Sequence, residues 1–73
     1  MGAVDTIEVG PDGIRLGQLL KHAGMVESGG QAKMVLAAGT VTVNGAVETR
    51  RGAKLSAGDV VTFAHRSVWL VDR

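Results

Sequence analysis

The 73-residue chain has no cysteine and no tyrosine, and only one phenylalanine, one tryptophan and one proline. Without cysteine there are no disulfides and no thiolate metal sites. Its two histidines, His22 and His65, lie most of the chain apart, so no spacing for a structural zinc is present. No apolar run approaches the roughly 18 residues of a membrane-spanning helix. The start, MGAVDTIEVG, has neither a basic head nor an apolar middle, so it does not read as a signal peptide. It does match the loose N-myristoylation pattern through Gly2 and Thr6, but Asp5 and the alternation after it argue against an anchor. What remains is a core of Val, Leu and Ala that must stand on packing alone. One domain over residues 1–73 is expected, acting in the cytoplasm with no membrane partner.

Enzyme chemistry has little to work with. There is no thiol nucleophile, and Ser28 reads as a helix cap. Neither histidine has a sequence neighbour that obviously orients it, and no glycine pattern satisfies the Walker or dinucleotide spacing in the right context. A non-catalytic protein is expected, with no cofactor, no metal and no small-molecule substrate.

Periodicity gives an order of elements. VDTIEV alternates as a short strand, and GPDG at 10–13 is a turn. A first helix is expected from about Ile14 to Ala23, with Leu16, Leu19, Leu20 and Ala23 forming one stripe and Gln18, Lys21 and His22 on the other side. Ser28 opens a second helix, and Gln31 three residues on completes a capping-box pattern. Its stripe is Ala32, Val35, Leu36 and Gly39. The opposite side, with Met34, Ala37 and Ala38, is so weakly polar that a sandwiched helix is expected. Thr40–Val43 reads as a strand, Asn44-Gly45 as a hairpin turn and Ala46–Thr49 as its return arm, which Lys54-Leu55 resumes beyond a break at Gly52. A strict two-residue turn puts Val47 on the face opposite Val41 and Val43, unless a bulge corrects the register. A second hairpin is expected from Val60–Phe63 and Ser67–Val71, turning across Ala64-His65-Arg66, with Trp69 in the core. The whole is an α+β arrangement of two packed helices on a small, mainly antiparallel sheet.

The formal net charge is only +1, but charge is unevenly spread. From residue 15 to 54, six cations (Arg15, Lys21, Lys33, Arg50, Arg51 and Lys54) face two carboxylates, Glu27 and Glu48, leaving +4. Elsewhere two cations face five carboxylates, leaving −3. Arg50-Arg51 can be read as a charged sheet edge that resists aggregation. Lysine would serve there equally well, whereas arginine offers a planar fork suited to phosphate. SGGQAK at 28–33 adds a second signal. Two glycines after a helix cap either permit tight packing or leave amides open to an anion, with Lys33 one turn in.

The stretch from Ile14 to about Phe63 resembles the RNA-binding domain named after small-subunit ribosomal protein S-four, also called the alpha-L motif. The likeness lies in Arg15-Leu16 followed by Leu19-Leu20, the AK of helix two, GTVTVNG, and Leu55 with Gly58-Asp59. The spacing of ETRRGAKLSAGD looks most like small bacterial proteins that consist of little else.

The resemblance implies a basic surface for structured RNA, ribosomal or transfer, formed by the start of helix two and the hairpin region after it. It puts Ser28, Gly29, Lys33, Arg50, Arg51 and Lys54 on or beside that surface, with Asn44 nearer to scaffold than to contact. Arg15 and Lys21, from the same basic stretch, join them as candidates. Two departures from the family stand out: Gly17 where an acidic residue is common, and Gly29 where a basic one is common. The second removes a phosphate ligand. The function expected is recognition of folded RNA by shape and backbone, by a monomer. The rival is a protein-interaction adaptor that turns the same arginines to an acidic partner and uses an apolar patch of Met25, Val26 and Met34.

Overall fold

A computed structural model describes residues 3–73, with side chains from residue 5 onward. Gly2, and with it the myristoylation pattern, lies outside the described residues. The chain runs β1 (Ala3–Val9), β2 (Ile14–Arg15), α1 (Leu16–His22), α2 (Gly29–Ala37), β3 (Thr42–Val43), β4 (Ala46–Val47), β5 (Lys54–Leu55), β6 (Val60–Phe63) and β7 (Arg66–Asp72). The main sheet has the order β1-β7-β6-β3-β4, and β2 with β5 makes a separate two-stranded ribbon. In the main sheet β1 runs parallel to β7, while the remaining pairs are antiparallel. The expected α+β architecture is therefore present, with the N-terminal strand joined to the main sheet.

The core follows the two periodicities. From α1 come Leu16, Leu19 and Leu20, and from α2 Ala32 and Leu36. Val61, Val68 and Leu70 come from the inner face of the sheet, and Val41 packs with them. The helices thus cover one sheet face, and apolar burial supplies the stability that a chain without disulfides needs. Helix α1 spans Leu16–His22, so it starts two residues after the expected Ile14. Ile14 and Arg15 are drawn into pairing with Leu55 and Lys54 instead of continuing the helix. Gly13 makes this close approach possible: its φ is +73°, and a Cβ there would collide with the Leu55 carbonyl oxygen.

Several other expectations are corrected. Lys54-Leu55 does not resume the hairpin but leaves the main sheet to pair with β2. Helix α2 is not sandwiched: Met34 is 72% exposed, and Ala37 and Ala38 are open to solvent. Alanine is the best helix former and needs no partner to stay helical, so a weakly polar outer side does not require a second covering layer. Trp69 is not core. Val68 and Leu70 point inward, so strand alternation turns Trp69 outward beside Val60, leaving it 49% exposed. The second hairpin turns on two residues, with Ala64 and His65 both at positive φ, and Arg66 belongs to β7.

The first hairpin has the strict two-residue turn, pairing Val43 with Ala46 and Thr42 with Val47. No bulge shifts the register, and Val47 is left 59% exposed. Asn44 is scaffold as expected. Its φ is 53°, its side-chain amide donates to Asp59 Oδ1 at 3.0 Å, and its carbonyl accepts from the Val60 amide at 2.9 Å. This clamp ties the hairpin turn to the β5–β6 connection.

Candidate nucleic-acid interface

The site is built where the 50–54 segment folds back on the start of α1. The Leu16 amide donates to Ala53 O at 2.8 Å, and the Gly17 amide to Arg51 O at 2.9 Å. These are the unpaired amides of a helix first turn, so the segment acts as the helix cap. Arg15 Nη1 reaches Gly52 O at 2.7 Å, adding a third tie. Pairing of β2 with β5 sets Arg15 directly opposite Lys54. Like charges at opposed positions are unfavourable in isolation, and a polyanion laid across them would remove the repulsion.

Two adjoining clefts result. One, of about 180 Å³, is lined by Arg15, Gly17, Gln18, Lys21, Gly29 and Arg51. The other, of about 300 Å³, shares Arg15 and Gln18 and adds Lys54, with the Asp12 carboxylate also on its wall. Arg15, Gln18 and Lys21 recur every three residues, which lines them along one side of the α1 start. Arg51 and Gly29 complete the wall.

The candidate residues therefore separate. Arg15, Lys21, Gly29 and Arg51 come together around one hollow, and Lys54 stands beside it. Lys33 is exposed on α2 but does not line either cleft. Ser28 caps α2, its Oγ accepting from the Gln31 amide at 3.1 Å. The return arm of the capping box reaches one residue further back: Gln31 Oε1 accepts from the Glu27 amide at 2.7 Å. Gln18 and Gly17 were not among the expected site residues. The three-residue spacing of Arg15, Gln18 and Lys21 was the signal available for Gln18.

Arg50 differs from its neighbour. Its guanidinium forks onto Glu48, with Nη2 to Oε1 at 3.1 Å and Nε to Oε2 at 3.2 Å. Glu48 Oε2 also accepts the Arg50 amide at 3.2 Å and the Thr49 amide at 3.0 Å. The Arg50 side-chain hydrogen bond, helped by its amide, holds the Glu48 carboxyl below the usual carboxylate range. The same bond raises the Arg50 guanidinium above its ordinary value. Glu48 thus cancels one charge of the Arg50-Arg51 pair. Replacing Arg50 and Glu48 together by alanine is expected to change RNA affinity less than about twofold, because an exposed pair of cancelling charges contributes little. A filter-binding titration beside Arg51→Ala checks this.

Comparison with known proteins gives the family. A family model described as the S4 domain matches residues 7–71. The chain belongs to the S4 domain family. This S4 domain is 52% identical over 58 residues to YbcJ of Escherichia coli strain K12, a match spanning 80% of the chain and 83% of YbcJ. The name of YbcJ carries a provisional RNA-binding assignment. Over 55 residues it is 47% identical to RlbA of Bacillus subtilis strain 168, named as a probable ribosome maturation protein, covering 75% of the chain and 78% of RlbA. The solution structure of E. coli YbcJ superposes with a TM-score of 0.66 at 44% identity, covering 97% of this chain and 89% of that one. That structure is described as revealing an alfaL motif involved in RNA binding. The S4 domain here has two helices on a mainly antiparallel sheet, the arrangement the resemblance implied.

Proposed function

We propose that this chain is a non-catalytic RNA-binding module that grips structured ribosomal RNA through the cleft between the α1 start and Gly29. The observation that carries the reading is the meeting of Arg15, Lys21 and Arg51 around one hollow, with Lys54 next to Arg15. A-form RNA offers side chains little readable sequence, so recognition rests on phosphate position and shape. Cations set along a fixed wall suit that task. The relatives' names support RNA as the partner, and RlbA's name supports ribosomal RNA during ribosome maturation over transfer RNA. The reading implies a cytoplasmic site of action, and no helix is long and apolar enough to cross a membrane among the described residues.

The adaptor reading needed an apolar patch beside the arginines. Met25 and Val26 are buried in the core, so two of its three members are not at the surface. That removes the observation in its favour.

The test is a titration of ribosomal RNA fragments across salt. With about four cations on phosphates, log affinity should fall with log salt at a slope of roughly −3. A slope near zero would remove the cleft cations from the mechanism.

A further inference from the structure

The strongest unexplained feature beside the cleft is a glycine inside a helix. Gly17 lies within α1, is buried, and is not among the glycines at positive φ. Its backbone conformation therefore gives no reason for glycine, and helix propensity favours alanine there. The reason is steric. A Cβ on Gly17 would collide with Arg51 Cγ, stand 3.2 Å from Arg51 Cδ and lie 3.4 Å from the Arg51 carbonyl oxygen. The Arg51 stem crosses the helix where a side chain is missing.

We propose that Gly17 is a positioning residue, whose absent side chain seats Arg51 in the RNA-binding cleft. This rests on the reading of that cleft as the RNA site. The backbone of 51–53 is held on three sides: Arg51 O by the Gly17 amide, Gly52 O by Arg15 Nη1, and Ala53 O by the Leu16 amide. A methyl group at position 17 therefore meets a backbone that is fixed and a stem that is not. The stem yields. Because the collision is at Cγ rather than at the flexible tip, the whole guanidinium swings away from Arg15 and Lys21. The departure from the family pattern at this position thus has a local function: the polar contact an acidic side chain would make is exchanged for a track that lays an arginine across the helix.

The experiment is a double-mutant cycle on ribosomal RNA fragments with Gly17→Ala, Arg51→Ala and the pair. Gly17→Ala is expected to lose roughly tenfold in affinity, as Arg51→Ala does, since both remove one charged contact. It is also expected to flatten the salt slope by about 1. A defect in folding alone would not change that slope. The pair is expected to bind no worse than either single variant, and Arg51→Ala is expected to restore any melting temperature lost to Gly17→Ala. Gly17→Ala binding like the parent, or losses that multiply to about a hundredfold in the pair, would overturn the proposal. Nuclear Overhauser contacts from the Arg51 Cγ and Cδ protons to the Gly17 Cα protons give a readout free of RNA. If the parent protein binds no RNA, the functional reading fails, while these contacts still decide the positioning claim by their presence or absence.

Discussion

Replacing Arg15 and Arg51 together by alanine is expected to weaken binding of ribosomal RNA fragments about a hundredfold at low salt. Each side chain is expected to supply one charged contact, worth on the order of a factor of ten. Their losses are expected to combine because the two side chains stand on different elements, Arg15 at the β2–α1 junction and Arg51 in the segment that caps α1. Arg15 also donates to Gly52 O, so its loss loosens the cap as well as removing a charge. The melting temperature of the double variant therefore belongs beside the binding curve. A folded double variant that loses less than about threefold, against the charged-contact value above, would show that RNA is held elsewhere.

Leu20→Ala is expected to cost about 3 kcal/mol of stability and to lower the melting temperature by roughly 15 °C. Leu20 is fully buried, and its carbonyl accepts the amides of Met25 and Val26, fixing the turn out of α1. A chain of this length has on the order of 4 to 11 kcal/mol in total, so one such cavity removes a large share. Eleven glycines widen the unfolded ensemble and leave little reserve. Thermal denaturation followed by circular dichroism checks this. A shift of less than about 5 °C, well short of the cavity value, would mean that the core refills around the missing side chain.

The fold was legible wherever a period of 3.6 or 2 had a clear apolar stripe. Leu16, Leu19 and Leu20 fell on the buried side of α1, and Asn44-Gly45 turned the first hairpin as its residue types require. Pairing between distant short segments was not legible. Ile14-Arg15 and Lys54-Leu55 are two residues each, too short for any alternation, and only the tertiary structure brings them together. That pairing builds the cleft, so it also decided which cations share a wall. Sequence placed weight on Lys33 and Arg50. The structure leaves Lys33 off the clefts and gives Arg50 to Glu48, a partner two residues away that local counting had registered only as a charge. Trp69 was misplaced for a simpler reason. In a four-residue apolar run, alternation does not say which parity faces the core until a neighbouring strand fixes it.

RNA is expected to meet this protein at the start of α1, the 50–54 segment and Gly29. The most direct measurement is an amide chemical-shift titration of the folded protein with a structured ribosomal RNA fragment. The largest changes are expected to cluster at residues 15–21, 28–30 and 50–54. Changes centred on Val47, Val60 and Trp69, the exposed outer face of the sheet, would contradict it.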